Sequence, residues 1–83
     1  MPLYHFNLAD GVFDPDPDGT ELSDIQAARV AAVQYAGAIM REQPNTIWAD
    51  GDWRLEVTDS DQNLLFTITI IATEVPAARH PQK

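Results

Sequence analysis

The chain has 83 residues, with 13 acidic against five basic side chains and no cysteine. That length allows one small core burying roughly 60–65% of the unfolded surface, and packing alone must hold it, since neither a disulfide framework nor a thiolate metal site can form. The formal net charge of −8 argues against direct binding to nucleic acid or an anionic membrane, both of which need clustered Lys or Arg, and no apolar run approaches the ~18–20 residues that span a bilayer.

The Met1–Asn7 start lacks the basic and apolar regions of a signal peptide, so the cytoplasm is the expected location. Tyr4, Phe6 and Leu8 alternate with His5 and Asn7 and end at Asp10-Gly11, the period of a half-buried strand followed by a turn. Val12 and Phe13 suit a short return strand. In the run Asp14-Pro15-Asp16-Pro17-Asp18-Gly19, two prolines remove backbone donors and stop any longer strand.

A helix is expected from Asp24 to about Glu42. Ser23, with Gln26 three positions on, has capping-box spacing and is the expected cap. Ile25, Ala28, Ala32, Ala36 and Ile39 recur at helical spacing, and the small alanines would let the helix lie close to a sheet. Arg29 falls only ~40° from Ile25 on the helical wheel, so it is expected to snorkel to the rim and pair with a carboxylate of the acidic loop. Pro44 and Asn45 close the helix, and Asn45–Gly51 reads as irregular.

Trp53, Leu55 and Val57 alternate with Arg54, Glu56 and Thr58, Asp59 to Asn63 supply turn residues, and Leu64, Phe66, Ile68 and Ile70 alternate again. These two runs make a hairpin. From Val75 onward no period remains, so residues 1–74 are expected to form one domain and 75–83 a frayed tail. The expected architecture is α+β, a single helix on a small, mainly antiparallel sheet in the order β-β(short)-α-β-β. Its expected core is Phe6, Ile25, Ala32, Ile39, Trp53, Leu55, Phe66 and Ile68.

Several motifs carry a family resemblance: the M-P-x-Y-x-F opening, Asp10-Gly11, the acidic turn into Gly19, Glu21 and Leu22, Ala27-Ala28-Arg29, Trp53-Arg54-Leu55-Glu56-Val57 and Leu65-Phe66. Over residues 1–72 the chain resembles a widespread group of short bacterial proteins known only as a domain of unknown function. The resemblance implies the fold and carries no activity. At the last turn, where that group usually has glycine, this chain has Gln62-Asn63, and asparagine tolerates the left-handed conformation.

Catalytic chemistry is thinly represented. His80 lies in the expected tail, and His5 is expected on the solvated face of its strand, so no nucleophile–base–orienter set can be assembled and no enzyme is expected. Asp14, Asp16, Asp18 and Gly19 match the first half of a calcium loop, yet Ile25 occupies the position of the bidentate glutamate. Any metal held there would bind no tighter than ~10⁻⁴–10⁻³ M. The plainer expectation is a rigid, solvated turn, with no cofactor. Residues 1–24 carry six acids and no Lys or Arg, a patch that suits solubility or a basic partner.

Trp48, Leu65 and Ile71 are apolar residues that one small core cannot cover, and they are the candidate interaction residues. The leading expectation is a non-catalytic module that meets a protein partner or a second copy through the last strand's outer face or a sheet edge. The alternatives are a weak divalent-cation binder through Asp14–Asp18, or an acidic inhibitor of a nucleic-acid-handling protein.

Overall fold

In the computed structural model, which describes residues 1–9, 13–49 and 52–75, the strands and helices follow in the order β1 (Leu3–Ala9), β2 (Phe13–Asp14), β3 (Thr20–Glu21), α1 (Ile25–Glu42), α2 (Pro44–Ala49), β4 (Asp52–Thr58) and β5 (Leu64–Ile71). Every strand pairing among the described residues is antiparallel. The sheet runs β2-β1-β4-β5, and β3 joins the same edge of β1 as β2. Strand pairing therefore puts the first strand inside the sheet, beside the hairpin. The expected α+β architecture, one main helix on an antiparallel sheet, is the one observed.

Period-2 alternation decides which face is buried. Phe6 and Leu8 lie opposite Val57 and Leu55, which in turn lie opposite Phe66 and Ile68, so all six share the face that meets the helices. Trp53, Leu55 and Val57 on the central strand are fully covered, as are Ala28, Ala32 and Ala36 on α1. Alanine at three successive turns brings the helix close to the sheet, and the larger strand side chains fill the space between. Trp53 Nε1 is buried without a hydrogen-bond partner among the described residues, so the ring is held by packing alone.

Several expectations need correction. Asp24, not Ser23, is the N-cap of α1: its backbone is extended and its carboxylate accepts the Ala27 N–H at 2.9 Å. A carboxylate there satisfies an orphan amide and also opposes the helix dipole, which a hydroxyl does not. Ile25, the first helical residue, sits on the turn ahead of the buried alanines and is 39% exposed, so it is not core. Phe6, Ile39, Phe66 and Ile68 are half-buried and pack against the core. Arg29 is exposed. The ion pair among the described residues is instead Arg54–Glu56 at 3.4 Å on the outer sheet face.

The stretch read as irregular contains α2. Gln43 ends α1 through its N–H to the Ile39 carbonyl, and its own carbonyl accepts from Thr46. Pro44 thus opens a new helix at the position where a missing N–H costs nothing. Ile47 on α2 is buried against the core. The second strand is Phe13–Asp14, one residue later than expected. Val12, the Asp10-Gly11 turn, Gly51 and the expected tail beyond Val75, His80 included, lie outside the described residues.

Candidate functional site

The acidic loop is built on two neighbouring side chains of β1. His5 and Asn7 both project to the sheet face away from the helices, and the sequence gives them no reason to be covered. Yet Asn7 is only 6% exposed. The segment between β2 and β3 folds back over it: the Asp16 N–H donates to Asn7 Oδ1 at 2.8 Å, and Asn7 Nδ2 donates across to Thr58 Oγ1 on β4 at 3.3 Å. His5 Nδ1 lies 2.7 Å from the Asp16 carbonyl. A carbonyl can only accept, so this nitrogen carries the proton.

Asp16 closes the loop from its own side. Its carboxylate accepts the Phe6 N–H and the Gly19 N–H, each at 3.2 Å. Gly19 has φ +74°, and a Cβ there would stand 3.0 Å from both His5 Cε1 and Leu3 Cγ. Both its conformation and its neighbours require glycine. The loop is thus a pinned strap on β1, with the two prolines limiting its freedom before it forms.

This geometry changes the reading of Asp14, Asp16 and Asp18. Asp16 spends its oxygens on backbone amides, while Asp14 and Asp18 are exposed. Among the described residues no group of three His, Asp or Glu side chains could hold a metal ion. The three alternating carboxylates are not gathered by Gly19; the loop turns Asp16 alone inward.

The strap separates two clefts. One, of about 440 Å³, has Phe6, Leu8, Ala31 and Tyr35 as its floor and the Asp14–Pro17 segment as its rim. The Phe6 and Tyr35 rings meet edge to face at 6.4 Å there. The other, of about 500 Å³ on the opposite side of the sheet, mixes polar and apolar walls and takes in His5, Glu56, Thr58, Gln62 and Leu64. Among the described residues no Ser, Thr or Lys side chain is hydrogen-bonded to His5, whose Nδ1–H is held by the Asp16 carbonyl.

The β4–β5 turn is a second polar construction. Asp59 accepts the N–H groups of Asp61 and Asn63 on one oxygen, each at 2.9 Å, and Asn63 Nδ2 on the other at 3.1 Å. These bonds, those from Asn63 foremost, hold the Asp59 carboxyl below the usual carboxylate range. The left-handed residue is Gln62, at φ 67°, and not Asn63. Asn63 is needed by Asp59, which pushes the strain one place upstream.

The apolar candidates are separated. Trp48, on α2 in the helix layer, is 58% exposed. Leu65 and Ile71 project from the outer face at opposite ends of β5, 36% and 69% exposed. They stand roughly 20 Å apart along the strand. Leu64 is exposed as well, because a register shift at Val57/Thr58 leaves Leu65 as an extra residue and carries Leu64 off the helix face. What joins Leu65 and Ile71 is the strand itself.

Among the described residues β5 is paired on one side only, to β4. Its sequence has no charged residue and no proline between Asp61 and Glu74. Long edge strands are usually blunted by charge, proline or a cover, because their free N–H and C=O groups invite another strand. Among the described residues the bulge at Leu65 is the single such device. No described helix is long and apolar enough to cross a membrane.

Comparison with known proteins agrees with the strand, turn and helix motifs read above. No curated protein and no solved structure matches the chain. A sequence profile does, from residue 3 to residue 72, spanning β1 through β5. The chain therefore belongs to the family described as a domain of unknown function, DUF6894.

Proposed function

We propose that this domain is a non-catalytic protein-interaction module whose docking surface is the open edge of β5. One observation carries the reading: among the described residues, an eight-residue strand with no charge and no proline has its outer edge unpaired. Such an edge accepts an extended segment by strand addition, in which main-chain hydrogen bonds give affinity and alternate side chains give selectivity. Leu65 and Ile71 then serve as apolar contacts on the outer face. The acidic loop has another part. Its polar groups are spent on tying β2 and β3 to the opposite edge, and its exposed carboxylates keep the domain soluble.

The test is a comparison of two baits in affinity capture from the native cell. Thr67 and Thr69 are exposed on β5, so Thr67→Lys with Thr69→Lys charges the edge without touching the core. A protein retained by the parent and lost by the charged variant supports strand docking. Identical captured sets from both baits overturn it, provided that the two baits melt alike.

A further inference from the structure

We infer that the strand docking on β5 is the β5 of a second copy of this chain, paired antiparallel about a twofold axis at Ile68; this rests on the reading of β5 as the docking edge. In an antiparallel pair, directly opposite residues lie on the same face. A strand that pairs with itself must therefore carry a pattern symmetric about its centre. From Leu65 to Ile71 the sequence is Leu-Phe-Thr-Ile-Thr-Ile-Ile, which is symmetric in chemical class about Ile68. On the helix face Ile68 meets its own copy and Phe66 meets Ile70. On the outer face Thr67 meets Thr69, a favourable cross-strand pair, and Leu65 meets Ile71. The two separated apolar candidates on β5 become neighbours across such an axis.

Charge placement favours the same arrangement. A chain of net charge −8 repels its own copies at most orientations. The acidic strap, however, lies at β1, with β4 between it and β5. In a β5–β5 pair the two β1 strands that carry the straps stand about five strand spacings apart, near 24 Å, or about three Debye lengths at physiological salt. The helix layer contributes on the same side. Tyr35 leans toward β1 through Phe6, so the opposite flank of α1, bearing the exposed Arg29 with Val33 and Met40, leans toward β5. Val33 is 63% and Met40 39% exposed. Together with Leu65, Ile71, the two threonines and the half-covered Phe66, Ile68 and Ile70, this surface comes to roughly 600 Å² per copy, near the lower bound of specific interfaces. A dimer of that size, lacking buried aromatic anchors, dissociates in the micromolar range, on the order of 1–100 μM.

The experiment uses the full chain, which has no cysteine. Thr67→Cys and Thr69→Cys chains are prepared separately and mixed under mild oxidation, and the mass of the parent is measured from about 1 μM to about 1 mM. Expected are a doubling of mass with concentration and a disulfide dimer that forms faster from the mixture than from either variant alone, because residue 67 faces residue 69 of the other copy. The doubly charged Thr67→Lys/Thr69→Lys chain should dimerise at least tenfold more weakly. Faster cross-linking of Thr67→Cys with itself, or dimerisation unchanged by the lysines, overturns the register. A parent that stays monomeric at ~1 mM overturns the second copy as occupant. Strand docking as such survives that last result if the charged bait still loses a captured protein, and falls with it if it does not.

Discussion

Truncating Asn7 tests how the acidic loop is held. Asn7→Ala removes the acceptor of the Asp16 N–H at 2.8 Å and the donor to Thr58 Oγ1 at 3.3 Å. An orphaned, partly covered N–H costs about 1–3 kcal/mol, and the second bond contributes about 0.5–1.5 kcal/mol net. The expected loss is therefore about 1.5–4.5 kcal/mol, from a domain whose whole stability is about 4–12 kcal/mol. In a thermal melt that is a fall of roughly 6 °C at the least.

Thr58→Val is the control, because it removes only the weaker of the two bonds and should cost about 1 kcal/mol or less. Amide exchange supplies the second readout. Asp16 and Gly19 should exchange faster in Asn7→Ala and not in Thr58→Val, since only the first releases the strap. A melt within about 0.5 kcal/mol of the parent, or equal losses for both variants, would refute the idea that Asn7 pins the loop.

Three further outcomes follow from the same geometry. Asp24→Ala should lose about 0.5–2 kcal/mol in urea unfolding while Ser23→Ala stays within about 0.5 kcal/mol, and the reverse order would move the cap. Gln62→Gly should stabilise by about 0.5–1 kcal/mol, because relief of a side chain at φ 67° outweighs the added freedom of the unfolded chain; a loss would show that Gln62 is not strained. Asp59 has its folded pKa depressed by Asn63, so its contribution is present above the unfolded pKa and lost as pH falls through the lower, folded one. Between about pH 5 and about pH 2.5 the parent should therefore lose more of its melting temperature than Asp59→Asn, and equal losses would exclude the role.

Periodicity made most of the fold legible and almost none of the loop. Alternation along Trp53–Val57 and Leu64–Ile70, and the alanine stripe on α1, are local patterns that burial imposes directly. Asn7 follows the same alternation and so reads as solvated. Its burial comes from a strap nine residues downstream, which no period encodes. The one signal for it was the pair of prolines around Asp16, whose stiffness suits a segment with a fixed partner. Ser23 and Asp24 are adjacent acceptors of equal capping quality, and sequence alone cannot choose between neighbours when both satisfy the same amide. The sequence of α2 was hidden by Pro44, which ends one helix and begins the next.

The two edges of the sheet are treated in opposite ways, and that contrast bears on function. At β1 two short strands and a hydrogen-bonded strap close the edge, and six of the chain's 13 acids lie between Asp10 and Asp24. At β5 there is no charge, no proline and no described cover. A domain selected only to remain a soluble monomer would gain by moving one of those charges to Thr67 or Thr69, where exposure makes the change nearly free. Under the proposed dimer, closing one edge and charging it would direct association to the other, because a copy that approaches the acidic side is repelled and meets only the two-residue strands β2 and β3 there. In that proposed arrangement the long apolar edge would also be protected from open-ended growth: two β5 strands paired about a twofold axis would leave only the short-stranded, strapped edges outermost, and the assembly would stop at two.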